Sequence, residues 1–377
     1  MTVNNKKIKL CLLHSTLHIG GAEEVTANIC KTINKDVFDV TVCYLKEMGT
    51  IGNKIVNQGT DVIGLTREIK KSNKTDYFTS LRLRSYLNRK NIDLIHSHDV
   101  HSLVDASLCR LTLPSIRFIH TFHFGNYPHR EPEMAKFERL FWRVPDMLVA
   151  VAEKQKNDVC NFYKIPSERI TTVWNGVDVT KIEKNIDIID EYKKEGKVII
   201  GCVNTLIEQK GMFDLIKVSK ILRDKLPNRF VFVVAGDGSL RTQLEEKIKK
   251  DNLGSYVKLL GWVDSASAVI LPKVDIFFQP SLWEAMSMVL LEAMAAKKAI
   301  VTTSVGETPK IICSADQGIV VEPGNIEKMA SSLQLLIERV SIREKYGLSA
   351  GLRYQDNFTA AKMAARYETL YQKIINK

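Results

Sequence analysis

Short runs of β-branched and aromatic residues recur along this chain, and between them the apolar positions change from nearly continuous to a spacing of three and four. Continuous apolar runs bounded by turn residues read as strands buried on both faces, whereas the wider spacing reads as amphipathic helix. In the first half the predicted strands are Ile8 to His14, Phe38 to Leu45, Asp93 to His98, Ile116 to Phe122, Met147 to Ala152 and Ile170 to Trp174. Helices such as Ala22 to Asn34 and Glu133 to Arg143 lie between them. A turn-rich break, Asn175-Gly-Val-Asp178, precedes a charged stretch from Thr180 to Lys197. The alternation restarts with Val198 to Val203, Phe230 to Ala235, Tyr256 to Leu260, Asp275 to Gln279, Ala299 to Thr303 and Gly318 to Val321. Strand and helix in alternation mark parallel α/β units, so the pattern predicts two Rossmann-like domains. A last helix is expected from Thr359 to Ile375, where Tyr367, Leu370, Tyr371 and Ile374 fall at helical spacing.

Composition narrows this picture without changing it. A chain of 377 residues exceeds what one hydrophobic core usually serves. Its 45% hydrophobic and 26% charged residues are those of an ordinary soluble protein. The N-terminal apolar stretch is broken early by His14 and Ser15, so we expect neither signal peptide nor membrane span, and a cytoplasmic location. Seven scattered cysteines without a Cys-x-x-Cys pair read as buried reduced thiols. The net charge of +11 favours an anionic partner, but no nucleic-acid-binding signature is present, so no nucleic acid is expected.

Open α/β sheets bind ligands at the carboxyl ends of their strands, which directs attention to the loops that follow them. The most informative is Ser281-Leu-Trp-Glu-Ala-Met-Ser-Met-Val-Leu-Leu-Glu-Ala-Met-Ala295, with Glu284 and Glu292 eight positions apart. On a continuous helix these carboxylates would stand roughly 80° apart in azimuth and about 12 Å apart along the axis. They cannot chelate one metal, nor flank one glycosidic bond, which takes carboxyl groups about 5 to 10 Å apart. A strand to Gln279, a turn holding Glu284 and a helix from about Ser287 to Lys297 fit better. Such a helix start offers unpaired N–H groups and partial positive charge to a phosphate. One carboxylate then lies ahead of the phosphate seat and one beyond it, the layout of a sugar nucleotide. The plainer alternative is an amphipathic core helix with two incidental acids.

Three other loops carry candidate chemistry. In His18-Ile-Gly-Gly-Ala-Glu23 the paired glycines Gly20 and Gly21 let backbone approach a ligand just before a helix, though a plain tight turn satisfies the same sequence. Ile119-His-Thr-Phe-His123 sets a histidine at a strand's carboxyl end, with His120 earlier on the strand as a rival that we expect to share its face. Lys210-Gly211 precedes a helix, where a lysine can neutralise charge on a departing phosphate. No Asp-x-Asp sequence occurs, so no metal site and no cofactor is indicated.

The glutamate pair resembles the Glu-x7-Glu motif of retaining family 4 glycosyltransferases of the GT-B fold. Gly20-Gly21-Ala22-Glu23, Thr121-Phe122-His123, Phe232 to Gly238, Leu260-Gly-Trp-Val263, Asp275 to Ser281 and Gly306-Glu307 fall in that family's order. The resemblance implies an α/β protein of two Rossmann-like domains facing across a cleft. It implies an acceptor domain at 1–178, completed by a C-terminal helix at 359–377 that crosses back, and a donor domain at 179–358. It implies transfer of a hexose from a nucleotide-diphosphate sugar, a UDP- or GDP-sugar, to a glycan or lipid-linked acceptor, without metal, in surface-polysaccharide assembly. Glu284 would grip the hexose, Glu292 the ribose, and the amides of Met286, Ser287, Met288 and Val289 the sugar and phosphates. Backbone at Trp262 and Val263 would hold the base, Gly20 and Gly21 would face the donor phosphates, and His123 would stand near the scissile bond. The sequence departs from the family at Thr205, where an arginine usually pairs with the lysine, and at Ala285, usually glycine. The rivals are a nucleotide-sugar epimerase, which needs no acceptor, and a catalytically weak binding scaffold.

One further segment draws attention. Between Thr66 and Lys90 eight basic residues face only Glu68 and Asp76, among Tyr77, Phe78, Leu81, Leu83, Tyr86 and Leu87. We expect either a solvated helix face or a patch resting on an anionic membrane surface.

Overall fold

The computed structural model describes residues 7–66, 76, 78–179 and 182–377. The chain forms two compact units, one built from Met1–Gly176 with Ala360–Lys377 and one from Val177–Thr359.

Unit 1 holds β1 (Ile8–Thr16), β2 (Phe38–Glu47), β3 (Asp61–Gly64), β4 (Leu94–Ser97), β5 (Arg117–Phe122), β6 (Met147–Ala150) and β7 (Ile170–Thr172). They form one sheet in the order β3-β2-β1-β4-β5-β6-β7, with every neighbouring pair parallel. Unit 2 holds β8 (Val198–Val203), β9 (Phe230–Ala235), β10 (Val257–Gly261), β11 (Ile276–Gln279), β12 (Ala299–Thr303) and β13 (Ile319–Val321). Its order is β10-β9-β8-β11-β12-β13, again all parallel. Helices on both faces bury these strands, which explains why β4, β6, β9, β11 and β12 are buried at every position and why β6 and β9 are apolar throughout. In each unit the chain leaves the first strand in one direction and later returns to its other side. The strand order therefore reverses between β1 and β4, and between β8 and β11, which are the switch points where such sheets bind ligands.

The helix Ala360–Ile375 belongs to unit 1 and packs beside the helix Gly21–Thr32. Its Tyr367 and Tyr371 are fully buried, and Glu368 accepts a hydrogen bond from the Asn34 backbone N–H at 2.7 Å. This is the crossing back expected of the last helix. The strand β3 was not among those predicted: its four residues, Asp61-Val-Ile-Gly64, hold a single apolar pair. Five of the seven cysteines are buried, Cys160 is half-buried and Cys313 is exposed, which corrects the expectation for the last.

The basic segment divides. Arg67, Glu68, Lys70, Lys71, Lys74 and Tyr77 lie outside the described residues. In the helix Thr79–Lys90 the residues Leu83, Tyr86 and Leu87 are core, and Arg82 is bound by Asp76 and the Leu65 carbonyl. Phe78 and Leu81 remain exposed. No helix among the described residues is long and apolar enough to cross a membrane.

Candidate functional site

In unit 2 the switch point is flanked by the loops after β8 and β11, and these bring Lys210 and Glu284 together. The Lys210 Nζ lies 2.6 Å from Glu284 Oε1, an ion pair across 74 residues of sequence. Both residues are mostly buried, with side chains 20% and 9% exposed, so the pair is held in low dielectric and its remaining lone pairs need donors. Ser281 Oγ donates to the same oxygen at 2.9 Å and Gln279 Nε2 reaches it at 3.3 Å. Among the described residues Oε2 receives only Gln209 Nε2, at 3.4 Å, which leaves it the oxygen with acceptor capacity to spare. Gln279 Nε2 also donates to Ser287 Oγ at 2.9 Å, and Ser287 in turn caps the helix Met288–Ala295 by accepting from the Leu290 N–H.

Two glycines make this approach possible. Gly211 has φ +64°, and a Cβ there would collide with the Pro280 carbonyl, so the Lys210 loop can press directly on the chain that carries Glu284. Gly306 has φ +53°, and a Cβ there would meet the carbonyls of Glu284 and Ala285 from the other side. The Glu307 N–H donates to the Ala285 carbonyl at 3.0 Å, completing the clamp. Met286 and Ser287 are buried, Met288 and Val289 half-buried, and Glu292 is half-buried in the second turn of the helix. Thr205 is exposed in the turn after β8, Trp262 is 61% exposed and Val263 half-buried after β10. All of these lie at the carboxyl edge of the sheet.

Unit 1 places a different chemistry at its switch point. The Asp99 carboxylate caps the helix Val100–Thr112 by accepting from Ser102 N at 2.9 Å, and its other oxygen accepts from Ser15 N at 2.6 Å. That bond ties the end of β1 to the end of β4. Gly20 caps the helix Gly21–Thr32 with extended backbone, φ −166°, and the Glu23 side chain folds back over it. Burial above all raises the Glu23 carboxyl.

Beside them stand five histidines. His14 and His98 stack with ring centroids 4.7 Å apart, His96 and His98 lie 4.0 Å apart, and His98 Nδ1 is 3.1 Å from His123 Nε2. His96 is fixed at both nitrogens, by the Tyr371 hydroxyl and the Thr121 hydroxyl at 2.7 Å each. His120 instead pairs with Ser97 Oγ at 2.9 Å and lies edge-on to Phe122. The expected shared face of His120 and His123 is thus incorrect: His123 stands three positions after His120, just past the end of β5, and a strand's period of two sends them to opposite sides. Burial is the largest cause that lowers every member of the group, His14, His120 and His123 to about 3 and His96 and His98 well below the usual range. All five imidazoles are therefore neutral at physiological pH.

The sequence reading singled out Lys210, Glu284 and His123 but missed Gln209, Gln279 and Ser281 as partners of Glu284, and His14 as part of the histidine group. For the histidines a signal existed. His96-Ser-His98 has the strand period, and β1, β4 and β5 are neighbours in any sheet of this order.

Two family models match this chain in tandem: Glycosyltransferase Family 4 over residues 19–181 and Glycosyl transferases group 1 over residues 183–350. Among curated relatives, the UDP-Gal:alpha-D-GlcNAc-diphosphoundecaprenol alpha-1,3-galactosyltransferase of Escherichia coli is 24% identical over 348 residues, covering 88% of this chain and 89% of its own. The N-acetyl-alpha-D-glucosaminyl L-malate synthase of Bacillus anthracis is 22% identical over 315 residues, 80% of each chain. Among solved structures, Anabaena HepE in complex with UDP and glucose aligns over 97% of this chain and 100% of that one, with a TM-score of 0.81 at 17% identity. At that identity the likeness concerns the fold, which is GT-B.

Proposed function

The chain belongs to the group 1 glycosyltransferases of family 4, and from that premise we propose that it moves a hexose, with retention and without metal, from a UDP- or GDP-sugar to an acceptor hydroxyl in surface-glycan assembly. The observation that carries this reading is the Glu284 carboxylate. It is buried beside a lysine, has one oxygen saturated and the other under-used, and stands just ahead of a helix N-terminus. That arrangement suits a ligand with hydroxyls next to a diphosphate. Oε2 of Glu284 takes hexose hydroxyls, Lys210 and the amides of Met286 to Val289 meet the diphosphate, and Glu292 takes the ribose hydroxyls. Backbone at Trp262 and Val263 holds the base, and Gly20 and Gly21 offer amides to the phosphates.

In this reading the leaving diphosphate accepts the acceptor's proton on the same face, so Glu284 is a binding group and not a nucleophile. His123, neutral and half-buried, donates to an oxygen near the scissile bond. The name of the Escherichia coli relative points to a UDP-linked donor and a lipid-linked acceptor. The exposed cations Arg84, Arg89 and Lys90 of the helix Thr79–Lys90 favour an anionic bilayer beside such an acceptor, and the exposed Phe78 and Leu81, with Leu108 and Leu111 on the adjoining helix Val100–Thr112, add apolar contact to it. Liposome sedimentation indifferent to anionic lipid and to salt refutes that part.

A thermal-shift screen across nucleotide sugars tests the donor, since one tight ligand fixes base and sugar together. Transfer with that donor, followed by the anomeric configuration of the product, tests retention. If no nucleotide sugar stabilises the protein, the reading falls. One observation favours a scaffold instead: Thr205 supplies no cation and Lys210 is already paired with Glu284. Tight donor binding with no transfer to any acceptor would support it.

A further inference from the structure

His98 lies in the middle of the histidine group, and its two ring nitrogens have unequal surroundings. Its Nδ1 faces His123 Nε2 at 3.1 Å, whereas its Nε2 is buried and has no hydrogen-bond partner. A neutral imidazole carries one proton, so two arrangements of the pair exist. If His123 Nε2–H donates to His98 Nδ1, the proton of His98 must sit on Nε2, a buried N–H with nothing to accept it. If His98 Nδ1–H donates to His123 Nε2, the orphaned Nε2 is only a bare lone pair. Buried unpaired N–H groups are the rarer and costlier fault, so the second arrangement holds. It leaves His123 with its own proton on Nδ1, an atom that has no partner among the described residues of unit 1 and is not among the buried orphans.

The ring of His98 is also prevented from turning. His14 stacks on it within 3° of parallel, and His96 packs against it while itself held by Tyr371 and Thr121. We infer that His98 is a positioning residue that fixes the tautomer of His123, so that His123 meets its ligand as an Nδ1–H donor and never as an acceptor. This rests on the reading that His123 works beside the transferred sugar, and it sharpens that reading. The ligand atom facing His123 is a hydrogen-bond-accepting oxygen, such as a sugar hydroxyl or a phosphate oxygen, and ground-state base catalysis by His123 is excluded.

The test uses the whole protein labelled with 15N at its eight histidines. In the ligand-free wild type, His123, assigned by its loss in His123→Gln, should show a protonated Nδ1 and an unprotonated Nε2, unchanged between pH 8 and 5.5. An unprotonated Nδ1 overturns the proposal without reference to any activity. His98→Asn keeps a donor near the Nδ1 position and should preserve the signature. His98→Leu removes the donor and should shift His123 toward the Nε2–H form. In transfer assays His98→Leu should lose about tenfold in kcat with little change in donor KM, and His98→Asn should recover most of it. If the signature changes in His98→Leu while transfer does not, the tautomer assignment stands and the role of His123 in transfer falls. If His98→Asn keeps the signature yet loses as much activity as His98→Leu, the positioning role is overturned. Should His98→Leu fail to fold, the wild-type spectrum and His98→Asn still decide.

Discussion

The two units share one topology and place their polar residues at the same point of it, yet they fill that point with opposite chemistry. In unit 2 the ends of β8 and β11 carry an ion pair, Lys210 with Glu284, surrounded by amide and hydroxyl donors. In unit 1 the ends of β1, β4 and β5 carry neutral imidazoles packed on one another, with His96 held against Tyr367 and Tyr371. The division runs through the composition. All eight histidines lie between residues 14 and 129, and none occurs from 177 to 359. Sheet topology selects where ligands meet a fold, while local dielectric decides whether the groups there keep charge or shed it.

The largest effect expected of this contrast is acid lability confined to unit 1. His14 and His120 have folded pKa values lowered to about 3 by burial, so below the unfolded value of 6.5 the unfolded chain binds protons that the folded chain does not. Stability is present above pH 6.5 and is lost as pH falls toward 3. At pH 5 the loss is about 2 kcal/mol for each such histidine. Hydrogen exchange at pH 7 and pH 5 should show unit 1 opening first. Equal losses in unit 2, which has no histidine, would break the comparison.

Next is the charged pair. Lys210→Ala should lower transfer by about a hundredfold, because charge on the leaving diphosphate goes uncompensated, and should also lower the melting temperature, because Glu284 is left buried without its cation. Pairing it with Glu284→Gln should return the stability but not the transfer. A wild-type rate in Lys210→Ala would remove the pair from the chemistry.

The two glutamates should separate. Glu284→Gln is expected to cost transfer ten- to a hundredfold with free-nucleotide affinity nearly intact, and Glu292→Gln to weaken the nucleotide itself by about tenfold. Calorimetry with the free nucleoside diphosphate, set beside initial rates, distinguishes them. Equal small effects would reject the hexose and ribose assignments. The smallest expected change is a severalfold gain in diphosphate affinity in Thr205→Arg, whose exposed position has room for the longer side chain. No gain there would mean that the loop after β8 does not face the diphosphate.

Much of this was legible in sequence because parallel strands buried on both faces write themselves as apolar runs. β9, Phe230–Ala235, is six such residues in a row. The strand β3 was not, since an edge strand of four residues ending at Gly64 leaves too little pattern to separate from a turn. Glu284 and Lys210 were found singly, but their pairing depends on Gly211 pressing against Pro280, a contact between segments 69 residues apart that no local spacing encodes. The histidine group was half-visible for the same reason: periodicity shows which residues share a strand face, while strand order decides which faces meet.

The helix Ala360–Ile375 carries a consequence for truncation. Unit 2 is one continuous segment, whereas unit 1 is assembled from two stretches of sequence. Tyr367 and Tyr371 fill the core of unit 1, and the Tyr371 hydroxyl holds His96. A chain cut after Thr359 is thus expected to keep every strand of both sheets and all of unit 2, and yet to leave the histidines of unit 1 open to water.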